Sequence, residues 1–142
     1  QCFYEMRRSG ITAVGEFHYI HHSSANANDY AMDDMILAAA NNAGVRLVLL
    51  QTYYHSSDCG NKTILDKQRK FYTETVSDYL KQIEYLQAKT QRNALQSVGI
   101  VAHSIRAAHI SDIKQLHEFA VKNQMVMHMH MEEVMGEVDS CR

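Results

Sequence analysis

The chain of 142 residues contains no proline and no tryptophan. Average usage of about 5% would put roughly seven prolines in a chain of this size. Their absence removes the strongest punctuation of loops, so boundaries are read from Gly, Asn and the hydrophobic period. Cysteine is scarce too: Cys2, Cys59 and Cys141 are odd in number and far apart, which excludes a disulfide framework and a Cys-x-x-Cys metal site and fits a reducing compartment. Charge of neither sign is in surplus, with 14 Lys+Arg against 16 Asp+Glu and no basic run longer than two residues. Nucleic-acid and membrane-surface partners are therefore not expected. Long apolar runs are lacking as well. Val45 to Leu50, broken by Arg46, falls far short of the roughly 20 residues that cross a bilayer. The first residues, Gln1 to Arg8, have neither an apolar signal-peptide core nor the acid-poor, Ser-rich character of a transit peptide, so the expected location is cytoplasmic.

What is present is 46% hydrophobic residues, nine histidines and eight methionines. The length is that of one ordinary domain, able to bury about two-thirds of its unfolded surface. Phe3 to Arg8 reads as a helix end closed by Ser9-Gly10, followed by a strand over Ile11 to His18. His21 to Asp29 is a loop, with Asn28 or Asp29 capping a helix from Tyr30 to Asn42 that Gly44 ends. Val45 to Leu50 is the clearest strand, turning polar through Gln51 to His55. A long helix is expected from near Asp66, carrying Tyr72, Val76, Tyr79, Leu80, Ile83 and Leu86 on one stripe. Val98 to Ala102 is a third strand. Ser111 should cap a helix through Ile113, Leu116, Phe119 and Ala120. Met125 to Met131 is a fourth strand, with Val126, His128 and His130 on one face and the methionines on the other. A last helix begins near Glu133. The order α-β-α-β-α-β-α-β-α is the pattern of a parallel α/β fold.

His18, His55, His103 and the pair His128/His130 all fall at the carboxyl ends of expected strands, where parallel α/β folds gather their chemistry. A single histidine there is more often structural, but four strands ending alike make a functional signal. His128 and His130 at i and i+2 point to one side and can hold a divalent metal, and Glu133 can move protons beside it. The residues alone leave a metal site and a polar pocket equally open. Arg106, with His103 and Ser104, can hold a carboxylate through its two-pronged guanidinium. The methionines are expected to pack.

Several segments together resemble the formimidoylglutamate deiminase group of the amidohydrolase superfamily. They are Phe3-Tyr4-Glu5-Met6 with Ser9 to Thr12; Glu16-Phe17-His18-Tyr19-Ile20-His21-His22; Leu49-Leu50 through Tyr54; Gln68-Arg69 with Phe71; Val98-Gly99-Ile100 with His103-Ser104-Ile105-Arg106-Ala107; and His128-Met129-His130 with Glu133, Glu137-Val138-Asp139 and Cys141. They keep the family's order along the chain. The resemblance implies a zinc-dependent (β/α)8 barrel, of which residues 1–142 would be a central fragment with about four parallel strands. The implied reaction is hydrolysis of the C=N bond of N-formimino-L-glutamate, giving N-formyl-L-glutamate and ammonia in histidine degradation. It further implies His130 as a zinc ligand, Glu133 as the proton-shuttling carboxylate, Arg106 with His103 and Ser104 as the carboxylate-binding part of the pocket, Tyr54 as a pocket tyrosine, and His18 and His128 as possible pocket residues.

The family's remaining zinc ligands, a His-x-His before the first strand and an Asp on the last, fall outside the chain. Within it, Glu132 replaces a small residue, Val134 a polar amide, and Gln51 and Ala102 stand where proline is usual. One ligand cannot hold zinc in a catalytic geometry, which takes about three. The chain alone is accordingly expected to be inactive and not to bind zinc stably. A homodimer or larger assembly could supply the missing strands. The competing reading is a catalytically dead barrel remnant with a structural or partner-binding role; a self-contained flavodoxin-like domain lacks its Gly-rich phosphate loop.

Overall fold

Four strands and five α-helices alternate along the computed structural model, which describes residues 1–60 and 62–140. Cys141, part of one family-like segment, and Asn61 lie outside the described residues. Helix α1 (Cys2–Arg8) leads to β1 (Ala13–His18), α2 (Ala31–Ala43), β2 (Arg46–Tyr53), α3 (Val76–Thr90), β3 (Gln96–Ala102), α4 (Ile110–Lys122), β4 (Met127–Met129) and α5 (Met135–Ser140). The strands lie in sequence order, β1-β2-β3-β4, every pair parallel. Sequential parallel pairing with a helix on each crossover is how a (β/α) barrel is wound, and the sheet is half of one.

The hydrophobic period explains the layering. Leu47, Leu49 and Tyr53 of β2, with Val98, Ile100 and Ala102 of β3, pack against Leu37 and Ala40 of α2, Ile83 and Leu86 of α3, and Leu116 of α4. Met125, Met127 and Met129 join this layer, as their alternation predicts. The other face of the sheet is the inner one, carrying Gly15, Val48, Leu50 and Val126 around an open groove of about 950 Å³. Curvature shows directly in the rings: Phe17 on β1 stacks on His130, just past β4, with centroids 4.2 Å apart. Three flat interstrand gaps of about 4.8 Å would hold such rings much farther apart, so the sheet curls as a barrel wall does.

Curling brings inner side chains together, and Gly99 is small for that reason. A Cβ there would lie 2.7 Å from both Leu50 Cδ2 and Val126 Cγ2 and 3.3 Å from the Val126 carbonyl oxygen. Replacing Gly99 by Ala should therefore cost about 1–3 kcal/mol through overpacking, read as a lower urea midpoint at unchanged slope.

Several boundaries differ from expectation. Asp66 opens only a 3-10 turn, Asp66–Gln68; α3 starts at Val76 because the Thr75 hydroxyl caps it, accepting from the Asp78 N–H at 3.0 Å. Helix α2 is preceded by Tyr30 in the left-handed region (φ 48°), while the Asp29 carboxylate accepts from the Ala31 N–H at 3.2 Å. His109, not Ser111, precedes α4. The fourth strand pairs over only three residues, and α5 begins at Met135, two residues after Glu133. Gly44 ends α2 as expected, with φ 67°. Among the described residues, no helix is long and apolar enough to cross a membrane.

Candidate active site at the strand ends

Register decides which strand-end residues meet. Val101 pairs with His128 and Ala102 with Met129; beyond the strands the His130 N–H donates to the His103 carbonyl at 2.9 Å, and the His103 N–H donates to Tyr53 at 3.1 Å. Extending the ladder this way sets the His103 and His130 rings edge to face, 5.2 Å apart. Tyr54, at 4.9 Å, and Phe17 and Tyr19, both at 5.8 Å, complete the walls around His103. Tyr54 is fixed in turn by Gln68, whose amide donates to its hydroxyl at 2.9 Å. Tyr19 packs edge-on against Phe71 at 4.9 Å.

A charged group closes one side. Arg106 Nε donates to Glu137 Oε2 at 2.9 Å, and its Nη2 pairs with Glu133. Glu137 is 2% exposed and also accepts from the Glu132 N–H at 2.9 Å. Glu132 has φ 53°, a left-handed turn that aims its N–H at that carboxylate; the residue standing where the family has a small side chain thus occupies a position that side chains enter at a cost. Burial works against the Arg106 charge, but Glu137 and Glu133 outweigh it and hold the guanidinium above its ordinary value. Burial pushes the Tyr54 phenol up.

Burial, and then the neighbouring His130, lower His103 to about 4. A histidine depressed in the fold is neutral there while the unfolded chain protonates near 6.5. The stability it supports is complete above pH 6.5 and lost as pH falls from there through about 4. Its partial exposure reduces the expected loss to roughly 1–2 kcal/mol. Thermal melts between pH 7 and 4.5 check this: His103→Gln should flatten that slope.

The expected site residues therefore divide. His103, His130, Tyr54, Arg106 and Glu133 gather on the inner side of the sheet. Ser104 is buried beneath them, its hydroxyl 3.2 Å from His103 Nδ1, so it supports the ring rather than lining the pocket. His128 shares the face of His130 but is exposed lower down, beside the open groove. His55 turns aside, its Nδ1–H donating to the Thr73 carbonyl at 3.1 Å. His18 lies on the opposite, helix-facing side of the sheet, with Nε2 3.0 Å from Asp33 Oδ1. Phe17 and Tyr19 carry no signal of their own in the sequence, although strand alternation places them opposite His18. Glu137 was quoted only within a motif, and no sequence signal marks it as the buried partner of Arg106.

The residues on the inner side do not fit a catalytic zinc on their own. His130 offers one imidazole, Glu133 is engaged by a guanidinium, and the one group of three convergent metal-ligating side chains among the described residues is His18, His21 and Asp33 on the far side of the sheet. The open groove of about 950 Å³ likewise does not coincide with this chemistry; it lies lower on the inner face and is mostly apolar where the strands line it.

No protein-family model matches the chain. It is 32% identical over 145 residues to formimidoylglutamate deiminase of Pseudomonas aeruginosa, an alignment covering 100% of this chain and 31% of that protein. An amidohydrolase from Brucella melitensis has the same fold, with a TM-score of 0.88 at 29% identity over 98% of this chain and 31% of its own. An adenosine deaminase from Xanthomonas campestris, solved with bound zinc, gives 0.65 at 18% identity over 96% and 26%, a likeness of fold alone. The chain thus spans about a third of the length of these relatives. In sequence and fold the chain is similar along its whole length to one part of the formimidoylglutamate deiminase-like amidohydrolases.

Proposed function

We propose that residues 1–142 are the central part of one barrel that hydrolyses the C=N bond of N-formimino-L-glutamate, releasing ammonia and leaving N-formyl-L-glutamate. The observation that carries this reading is the convergence of Arg106, Glu133, His103, His130 and Tyr54 beyond the ends of β2, β3 and β4. Arg106, kept charged between two carboxylates, presents a planar fork suited to the acid end of such a substrate. The fork end that pairs with Glu133 is the exposed one, since Glu133 is 39% exposed against 2% for Glu137. An incoming carboxylate would take the place of Glu133 there, and Glu133, so released, would move a proton toward the departing nitrogen. Phe17 stacked on His130 and Tyr54 against His103 hold the two imidazoles in place. No step is assigned to a metal, because the ligands present do not form a centre.

The alternative, a barrel remnant without catalysis, draws on the same Arg106–Glu133 pair, which ties up both groups, and on Glu132 in its left-handed turn. Ammonia release from N-formimino-L-glutamate separates the two. The chain by itself should release none above background. The same chain expressed with flanking sequence that carries a His-x-His and a terminal Asp ligand should turn over. A metal-loaded full-length protein that leaves this substrate untouched overturns the proposed reaction.

A further inference from the structure

Behind the sheet, between the end of β1, the end of β2 and the first turn of α2, three ligating side chains converge without a role in the pocket. His18 Nε2 and His21 Nδ1 each lie 3.0 Å from the same atom, Asp33 Oδ1. His18 is 6% exposed, and His21 and Asp33 are fully buried.

Proton accounting makes this arrangement unusual. His22, next door, divides its ring nitrogens in the usual way: its Nδ1 accepts from the Tyr30 N–H at 3.3 Å and its Nε2–H donates to the Tyr72 carbonyl at 3.0 Å. His21 has no such division. Its Nε2 faces the Thr52 carbonyl at 2.7 Å and must carry hydrogen, which in a neutral ring leaves Nδ1 as a lone pair 3.0 Å from a carboxylate oxygen and 3.4 Å from the Gln51 amide nitrogen. Two lone pairs at 3.0 Å require a cation between them.

We propose that His18, His21 and Asp33 bind a divalent transition-metal ion of the zinc class, at a site separated from the pocket by the sheet. Two ligand atoms each about 2.1 Å from an ion lie about 3.0 Å apart at right angles and about 3.4 Å apart at the tetrahedral angle, so the two 3.0 Å spacings are those of neighbouring ligands drawn to the tighter end of that range. The surroundings are those of a ligand set. His21 donates its other N–H to a backbone carbonyl, and Gln82 donates to the second carboxylate oxygen, Asp33 Oδ2, at 3.0 Å; such outer bonds fix the tautomer and the orientation of ligands. A further oxygen donor is at hand in Gln51, which is fully buried and whose Oε1 has no hydrogen-bond partner among the described residues. Its amide nitrogen lies 3.4 Å from both His21 Nδ1 and Asp33 Oδ2, so half a turn of the amide delivers the oxygen to the cluster. Stable zinc binding here would overturn the expectation, drawn from His130 as the one family ligand in the chain, that the chain alone holds no zinc; the site involves neither His130 nor the proposed reaction.

The test is titration of the chelator-stripped chain with Zn²⁺ alone and Co²⁺ alone, followed by calorimetry, cobalt absorption and thermal melting. One equivalent should bind to the wild type and to His130→Gln. In Asp33→Asn and His18→Gln binding should weaken at least tenfold, and zinc should no longer raise the Tm. The bound cobalt should show no thiolate charge-transfer band, which excludes the cysteines as ligands. Should Asp33→Asn fail to fold, His18→Gln still decides. A folded wild type that takes up no stoichiometric metal overturns the proposal and means that an extra proton bridges His21 and Asp33. Binding that survives in His18→Gln and disappears in His130→Gln overturns it equally.

Discussion

Replacing Arg106 by Ala should destabilise the chain by about 3 kcal/mol or more, while Glu133→Gln should cost under about 1 kcal/mol. Both changes break an Arg106 ion pair, and burial separates them. Glu133 is 39% exposed, so water screens its pairing and resolvates its carboxylate once the partner is lost. Glu137 is 2% exposed, and without Arg106 its one remaining hydrogen-bond donor among the described residues is the Glu132 N–H. A buried charge with its counter-ion removed either takes up a proton or leaves for solvent. Leaving is the easier course, because α5 is six residues long and Glu137 is its one buried residue. Urea unfolding should therefore show the larger loss for Arg106→Ala, and amide exchange should accelerate selectively over residues 132–140. Arg106→Lys should recover only part, since a point charge cannot reach both carboxylates as the planar fork does. Equal costs for Arg106→Ala and Glu133→Gln would show that Glu137 does not anchor α5.

The half-barrel was legible because parallel strands buried by helices read as short apolar runs, and Val45 to Leu50 and Val98 to Ala102 have that form. The methionine alternation at 125–131 holds in part: Met125, Met127 and Met129 pack on the core, Met131 is 72% exposed, and only residues 127–129 pair as a strand. The stripe through Tyr72 was misread for a local reason: residues 66–75 contain a 3-10 turn and an extended Thr75, and propensity does not reveal that Thr75 is the cap until its hydroxyl is seen on Asp78. Part of the site was legible in the same limited way. Histidines at four strand ends fall at one end of the sheet, and which face each one takes depends on parity at the last paired residue. Phe17 and Tyr19 face the pocket and His18 faces away. The rear cluster was not legible, because Asp33 reads as an ordinary acidic residue in a helix first turn and is a neighbour of His18 and His21 only once α2 packs on the sheet. Gln51 stands where the resemblance leads one to expect proline, and its buried amide reaches that cluster.

Asp33 links the two sides of the sheet, and Asp33→Ala should cost about 3–5 kcal/mol, one of the largest losses available to a single substitution here. The change removes Oδ1 from beside His18 and His21 and Oδ2 from the Gln82 amide that donates to it, leaving buried polar groups without their partner and a space where the carboxylate was. Each buried donor left unpaired costs about 1–3 kcal/mol, before the term for the cavity. The damage should spread forward through the chain rather than across the sheet. Residues 17–19 alternate between faces, so His18 pinned behind fixes Phe17 and Tyr19 in front, where they pack on His130 and His103. His21 adds a second pin, its Nε2–H on the Thr52 carbonyl. With Asp33 gone, the near-ultraviolet dichroism of the tyrosines should fall before the far-ultraviolet helix signal does, because Tyr19 loses its fixed setting while α2, α3 and α4 keep their own core. Asp33→Asn should lie between Ala and wild type, since it keeps one oxygen to accept from an imidazole and loses the charge. A cost for Asp33→Ala under about 1 kcal/mol, with the tyrosine signal intact, would show that the loop after β1 is held by its backbone bonds to Lys70 instead.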